Sequence, residues 1–240
     1  MNIQQQIADL CEETDHILWN AYSNEETSHL IFPHYRLSEE DLGQSDMSNS
    51  EGKIRVSEQE ARFAFVKAIC QGTLKYSIEV PTKKTYKFTT FNSDGKGRSA
   101  QTDLALLNCG RERICNIDFK SKGITDKSTN EKIGKDIQKL LREKPYGLWF
   151  HILESSDNST LSNLIKVISD CINDVRSNFT DIDSPGLSVH ICVIKHAFSI
   201  HCDLTEFHIN NFDYEVSRSL LKSGDNANGW RVYRSRQGMV

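Results

Sequence analysis

The 240-residue chain lacks several features that would place it quickly. It has no apolar run near the ~20 residues needed to span a bilayer. Its start, MNIQQQIADLCEE, has neither a basic n-region nor an apolar h-region, so no signal peptide is expected. The seven cysteines (Cys11, Cys70, Cys109, Cys115, Cys171, Cys192 and Cys202) are odd in number and include no C-x-x-C pair. That argues against a disulfide framework and for a reducing compartment. With these absences, the sequence leads us to expect a cytoplasmic protein with no membrane partner. There is no G-x-x-x-x-G-K-[ST] loop and no Rossmann glycine pattern, which excludes a nucleotide-driven motor. A basic excess is missing too: the formal net charge is −4, so any nucleic-acid contact must find its positive charge locally.

What is present fits a globular chain with a real core and polar loops, at 38% hydrophobic and 26% charged residues. Ile3, Ile7, Leu10, Ile17 and Leu18 predict a helix over 3–22. Residues 37–53 are rich in Ser, Asp, Glu and Gly and read as a linker. The expected division is 1–55, a helix plus acidic linker, and 56–240, the main domain, with a motif core at 57–153 and further helix and strands over 159–240. Ser57 and Glu60 form an S-x-x-E capping box that opens a helix to about Cys70. Strands are expected at 74–80, with Pro81 as the stop, at 85–91, and at 99–107 and 113–120. Asn108–Arg111 joins the last two as a hairpin connection. Ile133, Ile137, Leu140 and Leu141 mark a helix over 130–143, and 148–153 (LWFHIL) reads as a buried strand. A helix at 160–179 and one or two strands in 187–204 follow. The fold class is α/β (α+β): a central mixed β-sheet flanked by helices.

Chemistry is concentrated on two neighbouring strands. One carries Asp103; the next carries Asp118-Phe119-Lys120. Side chains two apart on a strand share a face, so Asp118 and Lys120 point together, and an antiparallel pairing can bring Asp103 beside them. Two adjacent carboxylates repel. A hard divalent cation relieves this, and Mg²⁺ takes one or two carboxylates plus water and substrate phosphate. An ammonium at the same place can stabilise developing negative charge. As an exposed surface pair, the same Asp and Lys would be worth only ~0–1 kcal/mol.

Local charge supports the phosphate reading. Between Arg111 and Lys144 ten basic residues face six acidic ones, so this segment is +4 in a chain of −4. Lys135, Lys139 and Arg142 recur at helical spacing, and Lys122 shares the face of Lys120. Lys122, Lys135 and Lys139 are the expected nucleic-acid contacts.

A D…(D/E)-x-K pair on adjacent strands, after a helix bearing an acidic residue and before a helix and a strand, resembles the PD-(D/E)XK nuclease superfamily. The resemblance covers about 57–153 and implies a restriction-endonuclease-like αβββαβ core with N- and C-terminal extensions. It implies Asp103, Asp118, Glu60 (or Glu58) and the Phe119 carbonyl as metal ligands, and Lys120 as the family lysine. It further implies Mg²⁺, with Mn²⁺ as substitute, and DNA phosphodiester hydrolysis, as by the effector of a restriction or anti-phage defence system. A protein partner or a homo-oligomer belongs to the same expectation. Thr102 replaces the signature proline, and Gln138 is followed by Arg142 where the exonuclease branch has Tyr, so the chain is not assigned to that branch. Glu60 can equally serve only its helix cap. An inactive nucleic-acid-binding or scaffold module, and an RNA-directed nuclease, remain alternatives. His190, Cys192, His196, His201 and Cys202 fit no common zinc spacing, and alternation with Val189, Ile191 and Val193 explains them as sheet residues.

Overall fold

A computed structural model describes residues 2–24, 28–32, 56–86, 98–121, 127–205 and 230–235. Among the described residues seven strands form one mixed sheet in the order of the chain. They are β1 (Lys75–Tyr86), β2 (Arg98–Leu107), β3 (Arg113–Lys120), β4 (Tyr146–Leu153), β5 (Gly186–Val193), β6 (Phe198–Thr205) and β7 (Trp230–Arg234). The helices are α1 (Ile3–Ser23), α2 (Glu58–Ile69), α3 (Lys127–Arg142) and α4 (Asn158–Asn178). β3, β4 and β5 run parallel, and every other neighbouring pair is antiparallel.

The parallel pairs require crossovers, and α3 and α4 supply them. Their apolar stripes (Ile133, Ile137, Leu140 and Leu141; Leu161, Leu164, Ile165 and Ile168) pack with Trp149, Val189 and Ile191 on one face of the sheet. On the other face α1 and α2 pack through Ile7, Cys11, Leu18, Ala64 and Phe65 against Ile117, Phe119, Leu148 and Phe150. Because β4 and β5 are covered on both sides, all their residues are buried. The helix α1, set apart in the sequence by a polar stretch, therefore belongs to the same core as the sheet. The linker reading of 37–53 lies outside the described residues.

From Glu58 to Leu153 the order is helix, three strands, helix, strand, as the sequence suggested. One expectation needs correction. Pro81 does not end a strand: β1 continues through it to Tyr86, in place of separate strands at 74–80 and 85–91. Among the described residues β1 pairs only with β2, and an edge strand tolerates a residue without an N–H. The ladder is irregular between Pro81 and Thr85, and the Thr82 hydroxyl bridges the gap by donating to the Ala100 carbonyl and accepting from its N–H. Residues 87–91 lie outside the described ones. Within the further helix and strands expected over 159–240, the Trp230–Arg234 stretch pairs with β6 and forms the last strand of the sheet.

The edge strand is also tied to α3. Glu143, just past that helix, accepts from the Lys83 and Lys84 backbone N–H groups (3.1 and 2.7 Å) and from the Tyr86 hydroxyl (2.9 Å).

Candidate metal and phosphate site

The β2–β3 hairpin sets the site. Its register pairs Leu104 with Ile117, so Asp103 and Asp118 come next, opposite one another. Leu104 and Ile117 face α1 and α2, and alternation turns Asp118 to the other face, where Lys139 of α3 meets it. Here side chains take over from the backbone ladder. Asp103 Oδ2 accepts from the Phe119 N–H at 2.8 Å, and Asp118 Oδ1 accepts from the Asp103 N–H at 3.2 Å. Each carboxylate thus bonds the other's strand, which fixes them as neighbours. In a strand a residue's N–H and C=O leave on the same side, so the Phe119 carbonyl faces the Asp103 side too.

Around this pair runs a chain of charges. Lys139 Nζ sits 3.0 Å from Asp118 Oδ1 and 2.9 Å from Asp136. Lys120 Nζ sits 2.8 Å from Asp136 and 3.7 Å from Glu58. Arg62 is 3.0 Å from Asp103 Oδ1. Four carboxylates therefore meet three cations, which leaves a negative charge to balance. Burial pushes the Asp118 carboxyl up to about 7 against the opposing pull of Lys139, with Asp136 and Asp103 adding to the rise. Burial likewise raises Glu58. Burial disfavours charge on Lys120, yet Asp136 and Glu58 hold its ammonium above the ordinary lysine value. Asp136 is held below the usual carboxylate range: burial opposes this, but Lys139 and Lys120 prevail.

Asp118 Oδ2 is buried and has no hydrogen-bond partner. A buried carboxylate oxygen left unpaired is costly, and an oxygen-seeking cation would satisfy it. The donor set of two carboxylates and a backbone carbonyl suits Mg²⁺ or Mn²⁺.

The expected residues divide as follows. Asp103, Asp118, Phe119 and Lys120 come together. Glu60 turns back on its own helix: Ser57 donates to it from both N–H (2.8 Å) and hydroxyl, closing the capping box. Glu58, two residues earlier, is the acid that reaches Lys120. Lys139, expected at phosphates, is buried, with its ammonium spent on Asp118, Asp136 and the Gln101 carbonyl. Lys135 is half-buried, and Lys122 lies outside the described residues.

Asp136 and Arg62 were missed. Asp136 could have been found, because it stands three residues after Ile133 and four before Leu140, on the inward stripe of α3.

A second cluster lies on the opposite face, under α1. Ligand atoms of Cys11, His190 and His201 all lie within 4.8 Å of one another, and all three residues are buried. This set could hold a metal ion, though a sulfur and two imidazoles are not a magnesium set. Two residues of the group set aside in the sequence thus share a site with a cysteine from the far end of the chain.

Compared with known protein families, curated proteins and solved structures, the chain matches none. Among the described residues no helix is long and apolar enough to cross a membrane.

Proposed function

We propose that the chain is a metal-dependent nuclease of the PD-(D/E)XK type, with a restriction-endonuclease-like core, acting on DNA phosphodiester bonds. The observation that carries this reading is the reciprocal bonding of Asp103 and Asp118 to each other's strands, beside an unpartnered Asp118 oxygen. It supports a divalent-ion site, Mg²⁺ or Mn²⁺, held by Asp103, Asp118 and the Phe119 carbonyl, with Glu58 rather than Glu60 as the further acid.

The bound ion would supply Lewis-acid stabilisation of phosphate charge. The chain's own residues do the rest. Lys120, fixed by Asp136 and Glu58, holds an ammonium where negative charge builds as water attacks phosphorus and the P–O bond breaks. Lys139 and Arg62 lock the two aspartates in place. Such reactions need barriers lowered by on the order of 20 kcal/mol, which positioning and charge must provide together. Service as the effector of a restriction or defence system, with a partner subunit or a second copy, extends the same proposal.

The ion pairs Arg62–Asp103 and Lys139–Asp118 favour one alternative, an inactive module of the same fold in which internal cations replace the metal. One experiment separates the two. Supercoiled DNA, linear DNA and RNA are incubated with the protein in Mg²⁺, Mn²⁺ or EDTA, for wild type, Asp118→Asn and Lys120→Ala, and thermal stability is followed against Mn²⁺ in parallel. The nuclease reading expects metal-dependent cleavage reduced about 100-fold or more by either substitution. Cleavage indifferent to both, or neither cleavage nor Mn²⁺ stabilisation, overturns it.

A further inference from the structure

The buried cluster under α1 has hydrogen bonds that determine where its protons sit. His190 Nε2 lies 3.0 Å from Asp15 Oδ1, and His201 Nε2 lies 3.0 Å from Asp203 Oδ1. A carboxylate only accepts, so each Nε2 carries the ring proton. In a neutral ring with its proton on Nε2, Nδ1 is a bare lone pair. Yet the two Nδ1 atoms face one another at 3.3 Å. With both rings neutral these are two acceptors in contact, which repel unless a proton or a cation lies between them. Cys11 Sγ completes the group from α1.

The spacing has a ready explanation. Two nitrogens each 2.0–2.1 Å from a tetrahedral zinc are separated by about 3.3–3.4 Å. The carboxylates behind the rings match the usual support of metal-bound histidines, in which the other ring N–H donates to a carboxylate and fixes the tautomer. Both carboxylates are themselves held. Asp15 accepts from Ser199 Oγ, and Asp203 accepts from Ser188 Oγ at 2.6 Å and pairs with Arg231.

We propose that Cys11 Sγ, His190 Nδ1 and His201 Nδ1 form a site for a borderline-soft divalent cation, Zn²⁺ first, with Asp15 and Asp203 as the groups that orient the two imidazoles. On uptake the Cys11 S–H bond breaks, its proton leaves to solvent and the sulfur binds the metal as thiolate. Asp203 is balanced by Arg231, whereas among the described residues no lysine or arginine ion pair reaches the fully buried Asp15. Binding brings two positive charges in and releases one proton, a net gain of one positive charge beside the Asp15 carboxyl. The site joins α1 to β5 and β6 across 175 positions of chain, as the Asp15–His190 contact shows, and would act as a staple formed on folding. It lies on the other face from Asp118 and is independent of the nuclease reading.

The test uses the full chain carrying Asp118→Asn, so that the acidic site does not contribute. The protein is refolded with Zn²⁺ or Co²⁺, dialysed, and analysed for metal content, cobalt spectrum and protons released. The expected result is one equivalent of zinc, one proton released per metal, and a cobalt derivative with a thiolate charge-transfer band and tetrahedral ligand-field bands. Cys11→Ala should abolish the charge-transfer band and the proton release, and His201→Gln should lower retained metal at least tenfold. Should the His201 variant fail to fold, the Cys11→Ala spectrum decides alone. Less than about 0.1 equivalent retained by the folded parent, or a cobalt spectrum unchanged by Cys11→Ala, overturns the proposal and leaves a proton-bridged histidine pair.

Discussion

Lys139 Nζ lies 3.0 Å from Asp118 Oδ1, with the two side chains only 6% and 1% exposed. Each has given up water for the other. Breaking such a pair from one side leaves an uncompensated buried charge and costs about 3–5 kcal/mol. Lys139→Met should therefore destabilise the protein by that amount at about pH 8 in urea titrations. The loss should shrink towards about pH 5, where Asp118 is protonated and no longer needs the ammonium. A loss of equal size at both pH values would show that Lys139 acts through Asp136, the Gln101 carbonyl or packing and not through Asp118.

Asp118 itself should oppose folding when no metal is bound. Burial raises its carboxyl from 3.8 to about 7, so the folded chain holds a proton that the unfolded chain releases earlier. Its contribution is therefore favourable at low pH and is lost as pH rises from about 4 through about 7. In EDTA, Asp118→Asn should gain on wild type progressively across that window. Mn²⁺ should then stabilise wild type and leave the variant unmoved. A stability difference independent of pH would contradict this account.

The two glutamates at the start of α2 should separate cleanly. Glu60→Ala removes the reciprocal cap and should cost about 1 kcal/mol, with cleavage per folded molecule unchanged. Glu58→Gln removes a carboxylate 3.7 Å from Lys120 and should reduce cleavage while leaving the melting temperature near that of wild type. The reverse pattern would return the metal role to Glu60.

Glu143→Ala should loosen one edge of the sheet. Two backbone N–H groups and the Tyr86 hydroxyl lose their acceptor, and each group left unsatisfied costs about 1–3 kcal/mol where water cannot replace it. Hydrogen exchange should accelerate in β1 and remain slow in β4. Uniform acceleration across the sheet would mean that the edge has no separate stability.

Much of the site was legible because the relevant rules are short-range. Asp118 and Lys120 share a face by strand alternation, and the five-residue connection after Leu107 obliges β3 to return beside β2. Lys139 was misplaced for an equally physical reason. Helical spacing groups it with Lys135 and Arg142, but periodicity cannot say that the same flank of α3 meets two aspartates. Pro81 shows the complementary limit, since a proline's effect depends on whether its strand has a second neighbour.

By itself the sequence determined the order of elements from Glu58 to Leu153, the inward stripes and the hairpin that sets Asp103 opposite Asp118, because periodicity and turn chemistry act over a few residues. Only the tertiary structure decided which acid of α2 reaches Lys120, that Lys139 is an internal counter-ion, and that Cys11 lies with His190 and His201. Those relationships join segments far apart in the chain, and their energies come from burial and charge pairing that exist only once the layers have packed.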